Sequence, residues 1–194
     1  MNGLFYMLVN FAILGLLSLS TLSADDDYKI PPKAIADLVD APVTPSINLS
    51  PDKKHLLILE RTSLPSIAEL SQPELRLAGL RINPKTNGRS RTNNYKSIII
   101  KNIDSSKEKK VRGLPKSSHI SNVFWAPNGK HIAISVINGD RINLYLADVK
   151  NGKAKLLIKK PLNAIYGSAV YWLSDSEGLI VKTIIENRGG VPVK

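Results

Sequence analysis

The chain has 194 residues and no cysteine, with 27 Lys and Arg against 16 Asp and Glu, a formal net charge of +11. The lack of cysteine excludes a disulfide framework and thiolate metal sites, and the three histidines, His55, His119 and His131, are scattered. The positive residues are mostly lysines spread singly, without the arginine-rich, aromatic-interleaved clustering that nucleic acid would require, so the charge fits a solvated surface that attracts acidic peptides or an anionic envelope.

Residues Met1 to Ala24 carry no charged side chain, and Leu4 to Leu22 is apolar apart from Asn10 and a few hydroxyls. The block ends in small residues at Thr21, Ser23 and Ala24 and turns acidic at Asp25, Asp26 and Asp27. This layout predicts a signal peptide over 1–24, cleaved after Ser23 or Ala24, and hence export to a periplasmic or extracellular space. The alternative is a membrane anchor formed by the uncleaved leader, because an apolar run of this length nearly spans a bilayer. The membrane is otherwise not expected as a partner.

The rest, 25–194, contains an internal repeat. Three segments share an aromatic or apolar residue, a Pro/Ser-Asp/Asn turn and a β run: NLSPDKKHLLILE from Asn48, FWAPNGKHIAISV from Phe124 and YWLSDSEGLIVKT from Tyr171. Pro51, Pro127 and Ser174 are equivalent, separated by 76 and 47 residues. The second spacing is that of one β-propeller blade, and the first equals a blade plus about thirty residues.

The first segment is followed by extra residues over about 62–94. Ser66-x-x-Glu69 and Ser71-x-x-Glu74 both match the capping box at a helix start, predicting one or two short helical turns through Ala78. NPKTNGRSRTNN, from Asn83 to Asn94, reads as an exposed basic loop, and Ser97 to Ile103 as a strand. The middle repeat then predicts four strands: Ser121–Trp125, His131–Ile137, Arg141–Asp148 and Lys153–Ile158. Pro127-Asn128-Gly129, Asn138-Gly139 and Asn151-Gly152 are the turns between them. Four antiparallel strands in under fifty residues are the anatomy of a blade. The expected fold is therefore all-β: a partial β-propeller of about three blades with a short helical insertion and an N-terminal signal segment. A β-sandwich is the alternative, but it does not require the Trp-x-Pro-Asn-Gly-Lys phrase to recur.

Catalytic signatures are missing from the sequence. There is no G-x-S-x-G elbow, because Ser168 follows Gly167 but precedes Ala169-Val170, and neither a G-x-x-x-x-G-K-[ST] loop nor H-E-x-x-H occurs. Asp52, Asn128 and Asp175 occupy equivalent positions and could be imagined as repeated metal ligands. The stronger reading is that each bonds its own backbone two residues on and so holds a turn. Trp125 and Trp172 read as packing residues rather than ligand platforms. His55 and His131 share one repeat position, which suggests a structural or surface role. His119 has no partner at a recurring triad spacing.

Three stretches go further than a generic repeat: YKIPPKAIADLVDAPVTPSINLSPD, LPSIAELSQPELRLAGLRINPKTNGRSR and LNAIYGSAVYWLSDSEGLIVKTIIENRGGVP. Together they resemble the N-terminal part of the glutamyl-endopeptidase-like branch of the prolyl oligopeptidase family, from about Tyr28 to Pro192. The resemblance implies a serine peptidase parent that cuts after Glu, built from a propeller that covers and filters and a C-terminal α/β-hydrolase domain with a Ser-Asp-His triad. The chain stops at Lys194, in or near the third blade, so no catalytic, cofactor-binding or metal-binding residue carries over and no cofactor is expected. The expected function is to gate substrate access without catalysing alone. The implied partners are the parent enzyme's peptide substrate and a hydrolase domain encoded downstream. The alternative is a non-enzymatic envelope binding or scaffold protein built on a partial propeller.

Overall fold

The computed structural model describes residues 30–61, 63–116, 119–187 and 189. The expected signal peptide, 1–24, lies outside them. The chain divides into two compact units, 1–40 and 41–194. The described part of the first holds helix α1 (Lys33–Val39), which has no buried residue and carries an exposed Lys33–Asp37 ion pair one turn apart. No helix among the described residues is long and apolar enough to cross a membrane.

From 41 onward the described residues are almost wholly β. Strands β1 (Ser46–Leu49), β2 (His55–Arg61), β6 (Tyr95–Asn102) and β7 (Glu108–Lys110) pair in that order, all antiparallel. Strands β8 (His119–Trp125), β9 (His131–Asn138), β10 (Arg141–Asp148) and β11 (Ala154–Ile158) repeat the arrangement. A third, two-stranded unit comprises β12 (Val170–Trp172) and β13 (Leu179–Val181). The strands expected in the middle repeat are all present, within two residues at each end. The expected count of about three blades becomes two four-stranded units and one hairpin, and no ring closes among the described residues.

The three units match in register as well as in sequence. The first hairpin of each pairs Leu49 with Leu56, Trp125 with Ile132, and Trp172 with Leu179, all equivalent positions. Each turn is closed by the same backbone bond, Ser50 N to His55 O, Ala126 N to His131 O and Leu173 N to Gly178 O, every one 2.9 Å. Each also turns through one left-handed residue, Lys53 at φ 59°, Gly129 at 69° and Ser176 at 66°. Pro at the turn's start presets the backbone, and the Asp or Asn that follows holds it from its side chain.

Two apolar cores lie on opposite faces of the second unit. Ile132, Ile134 and Val136 pack with Leu57, Leu59, Ile98 and Ile100 of the first unit. On the other face Ala133, Ile142 and Leu144 pack with Leu162, Ala169 and Val170 at the third. Sheets stacked this way bury side chains of both parities, which is why Ile132–Val136 is buried throughout, Ser135 included.

The segment 63–94 departs from its expected form. Ser66 does cap a helix, its hydroxyl accepting from Glu69 N at 3.2 Å, but that helix, α2 (Ile67–Leu70), has a single turn. Ser71 is its C-cap rather than a second N-cap, and Pro73 stops the chain from resuming helix. A small sheet follows, of β3 (Leu75–Leu77), β4 (Leu80–Asn83) and β5 (Gly88–Arg89). The run 83–94 is the expected exposed loop only in part: Lys85, Arg89, Arg91 and Asn93 are exposed, whereas Asn83, Thr86, Asn87, Gly88 and Asn94 are buried. Its amides supply their own hydrogen bonds, as when Asn83 Oδ1 accepts from Lys85 N at 3.0 Å, so a polar stretch can be covered without stranding its backbone.

Ile134 is fully buried in the first core. Ile134→Ala should lower unfolding stability by about 2–5 kcal/mol in urea titration, because the surrounding strands cannot collapse into the space.

Candidate functional site

A cleft of about 500 Å³ lies where the second unit meets the segment 89–95 and the loop 164–169. Its floor is sheet, with Phe124, Ser135, Ile137 and Ile142, and its rim carries Arg89, Thr92 and Asn93. Two irregularities create it. Strand β6 pairs with β8 only at Tyr95 and Ile120, and then turns to β7 through Ile99–Lys101, so the sheet opens at that seam. A bulge in β8 between Ile120 and Asn122 leaves Ser121 out of the ladder, and Ser121 lines the cleft with its Oγ donating to Ser135 O at 3.1 Å.

The insertion is pinned over the sheet by a close approach of backbone to side chain. A Cβ added at Gly88 would lie 2.6 Å from Ile142 Cδ1, so only glycine fits there without displacing the isoleucine. The neighbouring Asn87 O accepts from Ala164 N at 2.9 Å, tying the insertion to the loop that leads into β12. These two contacts bring Arg89 to the rim, exposed and with no ion pair among the described residues.

Glu74 organises the insertion's charges. Its side chain is 11% exposed, with Arg76 Nε at 3.2 Å and Arg81 Nη1 at 3.1 Å from Oε1, and Arg91 Nε at 3.3 Å from Oε2. Burial by itself would raise its pKa, but hydrogen bonds from Arg76 and Ser90 and the charges of Arg81 and Arg91 outweigh it, so the carboxyl titrates below the usual glutamate range. Three guanidinium groups around one carboxylate leave the insertion positive beside the cleft.

Two of the cleft's hydroxyls, those of Ser121 and Ser168, bond backbone groups. Ser168 Oγ donates to Val170 O at 2.8 Å and accepts from Val170 N at 3.2 Å, and no histidine or carboxylate among the described residues lines the same space. His119 lies in an adjoining cavity of about 150 Å³ with Ser66, Glu69 and Ser90. It makes no hydrogen bond among the described residues, while Ser66 caps α2 and Ser90 serves Glu74. In that cavity Asn94 donates to Glu69 Oε1 at 3.1 Å, and its own buried Oδ1 has no partner among the described residues. The arrangement can bind polar and anionic groups, but it presents no hydroxyl to a base.

The residues singled out in the sequence are mostly turn and packing residues. Asp52 Oδ1 accepts from Ser50 Oγ at 2.6 Å and Lys54 N at 3.2 Å. Asn128 Oδ1 accepts from Lys130 N at 3.0 Å, and Asp175 Oδ1 from Glu177 N at 2.9 Å. The Ser50 hydroxyl bond, before any other cause, holds the Asp52 carboxyl below its ordinary range. Trp125 packs on the first core and Trp172 on the second, where its Nε1 donates to Phe124 O at 3.1 Å. His55 Nε2 lies 3.5 Å from Asn102 Nδ2, and His131 borders a surface cavity with Leu144 and Trp172. The Glu74 cluster and the β3–β4 hairpin had a signal in LRLAGLR, alternating Leu and Arg around a two-residue turn. Ala78 at φ 47° stands where Asn usually announces such a turn.

The folded-state pKa of Glu74 is depressed, so its stabilisation is complete at neutral pH, above the unfolded value, and is lost as pH falls through the lower folded value. Amide protection across 75–91, taken relative to the intrinsic exchange rate at each pH, should therefore fall on acidification in the wild-type chain. In Glu74→Gln protection should be several-fold lower at neutral pH and change little over the same acid range.

No family model matches the chain. Two curated plant proteins are similar to it, each named "Probable glutamyl endopeptidase, chloroplastic". That of Oryza sativa subsp. japonica is 40% identical over 185 residues, covering 89% of this chain and 20% of its own length. That of Arabidopsis thaliana is 37% identical over 199 residues, covering 93% and 20%. Among solved structures, a chain described as a dipeptidyl aminopeptidase IV from Bacteroides ovatus superposes with a TM-score of 0.40 at 15% identity, over 66% of this chain and 19% of that one. The chain thus spans about a fifth of the length of the curated relatives it matches.

Proposed function

We propose that this chain is the N-terminal β-propeller part of a serine peptidase that cuts peptides after Glu, and that its units screen which peptides reach a hydrolase domain elsewhere in the longer protein. The observation that carries this reading is the 40% identity, over 185 residues, to a protein named as a glutamyl endopeptidase. The two four-stranded antiparallel units, joined through the single Tyr95–Ile120 pairing and packed on each other through the first core, resemble the form that propeller blades take. Arg89 at the cleft rim and the arginines around Glu74 give the surface a charge that favours acidic peptides. Ser121 and Ser168 in the cleft are held by backbone, which suits a filter and leaves bond cleavage to another domain.

An antibody raised against the chain should recover from its source a polypeptide about five times as long, since the chain spans 20% of each relative. That polypeptide should label with a fluorophosphonate and hydrolyse Glu-containing peptides, while the 194-residue chain alone should do neither. Recovery of the short chain only, with no associated labelled protein, would overturn the proposal.

We also infer export, because the uncharged apolar block over 1–24 ends in small residues ahead of three aspartates. N-terminal sequencing of the envelope fraction should begin at Ala24 or Asp25. A cytoplasmic protein of full mass would refute this.

A further inference from the structure

The dipeptide Asn-Gly occurs four times among the described residues, at 87–88, 128–129, 138–139 and 151–152. A glycine after asparagine leaves its backbone nitrogen open to the asparagine side chain, because no Cβ stands in the way. Three of the pairs are held against such an approach. Asn128 Oδ1 accepts from Lys130 N at 3.0 Å, while Gly129 N donates to Ala126 O at 2.9 Å. Asn151 Oδ1 accepts from Lys153 N at 2.7 Å, while Gly152 N donates to Asp148 O at 2.8 Å. Asn87 is only 7% exposed, and a Cβ at Gly88 would lie 2.6 Å from Ile142 Cδ1, so that pair is packed in place.

The fourth pair has none of these restraints. Asn138 and Gly139 are both exposed, at the tight turn between β9 and β10. Neither the Asn138 side chain nor Gly139 N makes a hydrogen bond among the described residues. Gly139 turns at φ 63°, and nothing lies within 4 Å of a Cβ built on it. The ladder on either side is regular, with Asn138 paired to Arg141 and Ile137 to Ile142, so the freedom is confined to the turn itself.

We propose that Asn138 is a modification site, at which the folded chain deamidates through its own backbone. Gly139 N, on losing its proton, attacks Asn138 Cγ; a C–N bond forms, ammonia leaves and a succinimide ring closes. Water then opens the ring at either carbonyl to give aspartate or isoaspartate, so the amide and water become an acid and ammonia with no change of oxidation state. Asn128 and Asn151 must first release the bonds to their own oxygens and to the following glycine N–H, and Asn87 must be unpacked, whereas Asn138 has nothing to break. The aspartate product faces Arg141 across the ladder, an opposite-charge pair that leaves the hairpin closed. Ile137, the preceding residue, lines the cleft, so each event sets a negative charge one residue from that lining. The contrast between the four pairs is made by contacts inside the described fold, and it depends neither on the peptidase reading nor on where the chain begins and ends.

Incubation of the full chain at mildly alkaline pH, followed by brief tryptic digestion and mass spectrometry, resolves the four sites, because each falls in its own peptide. In the native chain the peptide 131–141 should show the amide-to-acid mass change about tenfold faster or more than the peptides holding Asn87, Asn128 and Asn151, which react only after local opening. Both aspartate and isoaspartate forms of it should appear. In concentrated urea the four rates should converge, since the protection of the other three is lost with the fold. Asn138→Gln, an exposed substitution whose fold circular dichroism can check, should leave peptide 131–141 unchanged over the same period. A native rate at Asn138 no faster than at the other three, a lead that persists undiminished in urea, or an acid product without any isoaspartate would each overturn the proposal.

Discussion

A sheet packed on both faces cannot alternate apolar and polar residues, and strand β9 shows the consequence: Ile132, Ala133, Ile134, Ser135 and Val136 are all buried. Even-numbered side chains meet the first unit and Ala133 meets the third, so neither face of the middle sheet is satisfied without its neighbour. Ser135 is tolerated because its backbone carbonyl accepts from Ser121 Oγ and its short side chain borders the cleft rather than the dry core. The rest of the structure follows from this two-sided demand. Units must stack, their turns must come into line at one end, and whatever is inserted between strands must leave the stack intact.

The insertion meets that last condition by folding back as a small sheet. Its polar residues are consumed internally, with Asn83 holding its own turn and Glu74 gathering Arg76, Arg81 and Arg91. What it contributes to the sheet beneath is backbone, through Gly88 on Ile142 and Asn87 O on Ala164 N. The cleft is therefore bounded by three separate stretches of chain, and its charge comes from the one stretch that is not part of the repeat. A surface of this kind can change its selectivity through the insertion while the stacked units keep their packing.

The outermost units show what the stack requires by lacking it. Tyr171 and Ile180 occupy the positions of Phe124 and Ala133, and Leu49 occupies that of Trp125, yet these residues are half exposed where their equivalents are covered.

The sequence by itself determined the repeat: its period, the strands of the middle unit and the turns at Pro51, Pro127 and Ser174. Those depend on local chemistry, namely residues that tolerate a left-handed backbone and β runs of fixed length between them. It also determined that Asp52, Asn128 and Asp175 hold turns, since each bonds a backbone amide two residues away. The insertion and the cleft depend instead on contacts between segments distant in the chain. Ser71-x-x-Glu74 satisfied a helix-start pattern, but Pro73 and the distant arginines drew Glu74 into a different role, and pattern alone cannot weigh a local cap against ion pairs with Arg81 and Arg91. Asn83–Asn94 read as exposed because it is polar, yet Asn83, Thr86, Asn87, Gly88 and Asn94 within it are buried, with side chains that bond its own backbone and α2 and its flank. Burial of that kind depends on which surfaces meet in space, and the periodicity of a single strand or loop carries no record of it.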